Sequence, residues 1–419
     1  MKKRHDQTQP NQMLCCPKGM SRRAFFCDSA RALAAAALVG GGLSSARGAE
    51  LGTVKQDIPD RSAQAPSAPV AIQRCESYEP KAFRAALDKT LDLIGGIKPL
   101  VQNKTVTIKI NLTGMEWRPL FSLPAQETYQ TQPDTLAALC AILADAGAKQ
   151  IVVVENLYWE KPFEQSLTEN GWDVAAIKSA GANRVVFEDT RNRGAFPGYS
   201  RFKVPWGGFI YPAFDLNQRF EKTDVLISLA KLKQHATAGI TGAVKNFFGN
   251  APTSIYGNNA PDEKGLLHRT DMFHSGRKSV AEGHPAELDH GLPKRGEVRV
   301  PHIVADLFGA RPAQLNIVDG IRTIRGGEGW WNRGVALIEP KILIVGRNGV
   351  CTDAVSTAAM GFDPQAPHGQ VPFSAHNHLR LLASVGVGTN DVKRIEILGL
   401  PLKDAVCPFQ APSSGPKSS

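Results

Sequence analysis

The sequence predicts an α/β fold: a mostly parallel sheet with helices on both faces, forming a single large domain with one long polar excursion. Short β-branched runs alternate with helix-periodic stretches over roughly 340 residues, the order expected of a sheet buried on both faces. No internal repeat interrupts that alternation. The excursion, residues 251–300, breaks it with Gly, Pro and charged residues and carries His268, His274, His284 and His290.

Val70-Ala71-Ile72 reads as the first strand. A helix from Pro80 to Ile94 follows, with Phe83, Leu87, Leu91 and Ile94 at helical spacing. Val106–Ile110 reads as a strand, Pro133–Ala146 as a helix, Ile151–Val154 as a strand, and Arg184–Phe187 as another after one or two helices. Then come a strand over Asp224–Ser228, helices near Thr241–Phe248 and His302–Phe308, and a strand over Leu315–Val318. Ile342–Val345, a helix over Thr352–Met360, and Lys393–Leu398 complete the domain, residues 70–408. Residues 49–69, rich in Pro, Ser and Ala, read as a linker, and 409–419 as a disordered tail.

The first 48 residues form a leader. A basic run precedes Ser21-Arg22-Arg23-Ala24-Phe25-Phe26, which matches the twin-arginine export pattern. An Ala-rich stretch from Ala32 to Leu43 is too short for a transmembrane helix, which needs roughly 20 residues. Small residues follow it, with cleavage expected after Ala46 or Gly48. The expected location is therefore the periplasm, the expected partner during export is the twin-arginine translocase, and no stable membrane span is expected.

Of 49 Lys/Arg and 39 Asp/Glu, the leader holds eight and two, leaving 41 against 37, a net of +4. That modest excess lacks the basic stripe of a nucleic-acid binder and excludes the class. Four cysteines lie beyond the leader, Cys75, Cys140, Cys351 and Cys407, none spaced as C-x-x-C. A cysteine-ligated iron–sulfur cluster is therefore not expected.

Ligands of open parallel sheets bind beyond the carboxyl ends of the strands. Lys109 and Asn111, Glu155, Lys231 to His235, Asp319, and Asp353 of the helix after the Ile342–Val345 strand all fall near such ends. Lys231, Lys233 and His235 precede Gly239-Ile240-Thr241-Gly242 and Lys245-Asn246. Positive charge beside the N–H groups of a helix start describes an anion or carboxylate site. Lys233 and His235 are the catalytic candidates, His235 because imidazole titrates near neutrality. Lys109, Asn111, Lys231, Thr241, Lys245, Asn246 and His268 are the substrate-binding candidates. Glu155, Asp319 and Asp353 are candidate ligands of a divalent metal. Each has a structural alternative: a solvated strand end, a turn, and a helix-start carboxylate stabilised by the dipole, respectively.

These residues resemble the domain of unknown function 362 family. The resemblance rests on Lys109-x-Asn111, Lys231-Leu232-Lys233-x-His235, Thr241 to Asn246 with Gly249, His268, Val318-Asp319-Gly320 and Thr352 to Val355, spanning about 104–399. Many relatives carry a ferredoxin-like cysteine cluster, which this chain lacks, and Gly329-Trp330-Trp331 stands where relatives tend to have Gly-Pro. The expected function is an enzyme or cofactor-assisted redox protein acting on a small carboxylate or phosphate. The alternatives are a non-catalytic periplasmic anion-binding protein and an accessory subunit of an exported redox complex.

Overall fold

The computed structural model describes residues 52–114, 116–158, 160–257 and 269–409. The leader, His268 and the last ten residues lie outside them.

Eight strands form the central sheet: β1 (Val70–Arg74), β2 (Thr105–Lys109), β3 (Gln150–Glu155), β4 (Val185–Asp189), β7 (Val225–Lys231), β10 (Leu315–Gly320), β13 (Ile342–Gly346) and β14 (Ile397–Gly399). Three two-stranded units stand apart from it: β5 (Tyr199–Lys203) with β6 (Ala213–Asn217), β8 (Gln234–His235) with β9 (Gly239–Ile240), and β11 (Thr323–Arg325) with β12 (Ala336–Ile338). The sheet order is β14-β1-β13-β10-β7-β2-β3-β4. All pairings are parallel except those of β13, which runs against both β1 and β10. The carboxyl end of β13 thus lies at the opposite edge from those of its neighbours, so the strand-end argument for Asp353 fails.

Side-chain alternation along the strands builds two cores. Val106, Ile108, Ile151, Val153, Val225, Ile227, Leu229, Leu315 and Ile317 face helices α1 (Pro80–Leu93), α2 (Pro133–Asp145), α3 (Phe163–Glu169) and α4 (Val174–Ala180). Val152, Val154, Leu226, Ala230, Val318 and Ile344 face α5 (Gly242–Asn246), α6 (Gly296–Ala310), α7 (Gly349–Ala359) and α8 (His378–Ser384). Each branched side chain so buried contributes about 1.5–3 kcal/mol. The expected elements recur within a few residues, because buried strands and helix stripes leave strong periodic signals.

Two expectations are corrected. Part of the expected linker packs on the domain: Ala65 is buried, Arg394 donates to the Ser62 and Ala65 carbonyls, and the Thr389 N–H donates to Pro66 O. An extended Pro-rich segment can be fixed through its backbone acceptors without any apolar pattern. Nor is the excursion only surface. Tyr256, Met272, Phe273 and Leu292 are buried in the α5–α8 core, anchors too widely spaced to show periodicity.

Candidate functional site

Two polar networks lie at the carboxyl edge. The first follows from strand register, which sets Asp319 beside Lys231 on parallel neighbours. Lys231 Nζ donates to Asp319 Oδ2 at 2.9 Å and to the Tyr78 hydroxyl at 2.7 Å, and that hydroxyl donates to Asp319 at 3.0 Å. The Ile321 N–H also donates to Asp319. Lys231 and Asp319 are both buried, so this is a balanced pair with its polar atoms occupied. Burial lowers the Lys231 pKa, offset in part by Asp319. A cavity of about 390 Å³, lined by Tyr78, Glu127, Asp134, Ile321 and Arg322 among others, opens beside this network.

The second network is organised by Asn246, at the end of α5. Register sets Lys109 beside Ser228. Asn246 Nδ2 donates to Lys109 O and Ser228 Oγ, both at 3.1 Å, while its Oδ1 accepts from Asn111 Nδ2 at 3.2 Å. Lys109 Nζ lies 2.7 Å from Glu155 Oε1. Glu155 also accepts the N–H groups of Leu112 and Asn156. Gly249 brings its backbone onto this pair, since a Cβ there would fall 2.9 Å from Lys109 Nζ and 3.0 Å from Glu155 Oε1. The Lys-Asn-x-x-Gly pattern thus has a physical content: one amide ties two strands and a helix, and one glycine permits close approach.

Lys233 donates to Asn111 Oδ1 at 3.0 Å and to the Tyr129 carbonyl. It is 1% exposed, and burial, with Lys245 and Lys231 nearby, holds its pKa well below the usual lysine value, Glu328 opposing. That burial does not suit the catalytic role expected of Lys233. Its amine is a buried clamp between two loops.

Lys245 is different. Its Nζ stands 4.1 Å from the Phe248 ring centroid, and among the described residues it has no hydrogen bond or ion pair. Burial, opposed by Glu328 and assisted by Arg269 and Lys109, lowers its pKa to about 7. Yet it keeps partial exposure, as does His235, so this part of the network meets solvent. His235 Nδ1 accepts the N–H groups of Thr237 and Ala238. An accepting Nδ1 leaves the neutral ring's proton on Nε2. Burial, with Lys245, Lys233, His274 and His378 around it, depresses the His235 pKa well below 6.5. His378, fully buried, is held at about 3 by burial and Lys245. His235 is thus a neutral donor at neutral pH, a poor general base.

Asp353 has a structural role, though at the start of another helix and not of its own. Its carboxylate accepts from Ala243 N at 2.7 Å and Val244 N at 2.9 Å, the first donors of α5. The backbone N–H groups expected to meet an anion are occupied by this side chain. Gly242, at φ +54°, makes the approach possible, because a Cβ there would lie 2.4 Å from Asp353 Oδ2. Burial raises the Asp353 pKa to about 7, partly countered by those two N–H groups. The three metal-ligand candidates therefore serve three separate places, and among the described residues no three His, Cys, Asp or Glu side chains are grouped to hold a metal ion.

The remaining candidates divide. Thr241 gives its N–H to Lys233 O, and its buried hydroxyl has no partner among the described residues. His268 lies outside the described residues. Cys75, Cys140 and Cys351 are buried free thiols, and Cys407 is partly exposed. Sequence reasoning missed Glu328, whose carboxylate accepts from Ala236 N and Trp331 Nε1 and faces Lys233 and Lys245. Its signal was an acidic residue inside Gly326-Gly327-Glu328-Gly329, a loop that fits no dinucleotide pattern. Arg269 was missed as well.

Residues 106–358, more than half of the chain, match the family model described as "Domain of unknown function (DUF362)", and the chain belongs to that family. It is 26% identical over 185 residues to the thylakoid-associated protein sll1697 of Synechocystis sp., across 44% of this chain and 50% of that protein. The chain thus spans about half the length of this curated relative. A crystal structure of a Thermotoga maritima protein aligns over 66% of this chain and 57% of that one, at 13% identity and a TM-score of 0.34.

Proposed function

We propose that this member of the family is an exported enzyme, or cofactor-assisted redox protein, that binds a small carboxylate or phosphate at Lys245. The observation that carries the reading is an amine without an ion pair among the described residues. Lys245 stands among Lys233, Arg269 and Lys109, with Glu328 as its opposing carboxylate. Like charges at short range need a counter-charge, and a bound anion supplies it. His235 contributes a neutral Nε2–H donor, and the Lys233 clamp fixes the loops around it. Lys245 takes the acid/base role expected of His235, since a pKa near the working pH suits proton transfer. The twin-arginine leader sends the folded protein to the periplasm, and the thylakoid association named for its relative is in keeping with work beside a membrane.

The accessory-subunit alternative calls for a large exposed apolar patch. The exposed large hydrophobics among the described residues, Phe121, Leu337, Val371 and Val406, are scattered along the chain. Calorimetric titration with inorganic phosphate and with acetate tests the proposal. Wild-type protein should bind at least one of them saturably, and Lys245→Met should bind about tenfold more weakly or worse, as when one partner of a charged contact is removed. No binding by the wild type, or equal binding by the variant, overturns it.

A further inference from the structure

Arg269 is a buried guanidinium whose hydrogen-bond acceptors among the described residues are all neutral. Nε donates to Ala251 O at 2.6 Å, Nη1 to the Tyr158 hydroxyl at 2.7 Å, and Nη2 to Asn156 Oδ1 at 3.0 Å. It lies against the same ring as Lys245: its guanidinium carbon is 5.9 Å from the Phe248 centroid. Beside it is an orphaned donor: Asn156 Nδ2 is buried without a partner among the described residues. Natural proteins rarely leave such atoms unsatisfied, and those that remain commonly mark the place of a ligand or ion. The Tyr158 hydroxyl accepts from Arg269, which leaves its own proton available to an anion.

The charge count points the same way. Among the described residues, Lys109, Lys233, Lys245 and Arg269 act on one another with two carboxylates, Glu155 and Glu328, between them. The neighbourhood therefore has two more basic groups than acidic ones.

We infer that the ligand carries two acidic groups, one held at Lys245 and the other in a second subsite built by Arg269, Asn156 and Tyr158. The inference rests on the reading of Lys245 as an anion site and adds the class of ligand: a short dicarboxylate or a molecule with two phosphoryl groups. A planar guanidinium flanked by amide and hydroxyl donors suits a carboxylate or phosphoryl group.

The test titrates the protein with paired probes: propionate against malonate, and inorganic phosphate against pyrophosphate. In the wild type the doubly acidic member of at least one pair should bind about tenfold more tightly, the gain expected of a second charge-assisted contact. Asn156→Asp changes one atom and sets a carboxylate on the guanidinium. It should erase that preference, so that both members of the pair bind with equal affinity. Arg269→Gln should do the same, with circular dichroism confirming that it folds. Equal binding of both members of each pair by the wild type, or a preference that survives Asn156→Asp, overturns the second subsite while leaving the Lys245 site standing. Failure of all four probes to bind overturns both.

Discussion

Replacing Asp353 with Ala separates a structural carboxylate from a metal ligand. In the folded protein this side chain satisfies two buried N–H groups at the start of α5, which carries Lys245 and Asn246. An N-cap contributes about 1–2 kcal/mol, and a buried donor left unsatisfied costs about 1–3 kcal/mol. Two orphaned donors therefore put the destabilisation at about 3 kcal/mol in mildly acid solution. The pH dependence has a definite sign. The folded-state pKa is raised to about 7 from 3.8, so between those values the folded state holds a proton that the unfolded chain gives up. This group's stabilisation accordingly falls as pH rises through the window and is flat above it. The penalty of Asp353→Ala should be larger at pH 5.5 than at pH 8, by up to about 2 kcal/mol, since each pKa unit is worth about 1.4 kcal/mol. Urea denaturation followed by circular dichroism at both pH values measures it. A penalty below about 1 kcal/mol at pH 5.5, or one that grows toward pH 8, would refute the capping role. So would stabilisation of the wild type by Mg²⁺ or Mn²⁺ that disappears in the variant.

The Lys231–Asp319 pair should behave as structure. Asp319→Ala leaves a buried amine uncompensated and should cost about 3–5 kcal/mol, whereas Tyr78→Phe removes one hydroxyl and should cost about 1–2 kcal/mol; chemical denaturation that ranks them the other way rejects the assignment. For the leader, periplasmic protein should begin near Arg47 or Ala49 and Arg22→Lys/Arg23→Lys protein should stay in the cytoplasm. An intact Met1 in the periplasmic fraction would show that the leader is not removed.

The parallel part of the sheet was legible because a strand buried on both faces is apolar along most of its length, as Val225 to Ala230 is apart from Ser228. The direction of β13 was not, because an antiparallel central strand carries the same apolar run as its parallel neighbours. Position after a strand end brought Lys109, Asn111, Lys231, Lys233, Lys245 and Asn246 to light, and the structure sets them in two networks at one edge. Their partners could not be read: Tyr78, Tyr129 and Glu328 come from loops whose contacts depend on the closed fold. The charge state of each amine was also hidden, because sequence shows a lysine and not the burial or counter-charge that sets its pKa. Thus Lys231 and Lys233, two residues apart, become an ion pair and a carbonyl clamp, while Lys245 has no anionic contact among the described residues.

The most direct measurement is the titration of Lys245 itself, by NMR of protein labelled with ¹³C at lysine Cε and assigned with Lys245→Met. Without ligand the amine should titrate near 7, below its ordinary 10.5, because burial and the neighbouring cations disfavour its charge. Saturating phosphate, or the tighter of the paired anions, should raise that value and be accompanied by proton uptake. Affinity should then be full below about pH 7 and decline as pH rises toward the raised pKa of the complex. A Lys245 signal that titrates near 10.5 and does not move when anion is added would contradict the account.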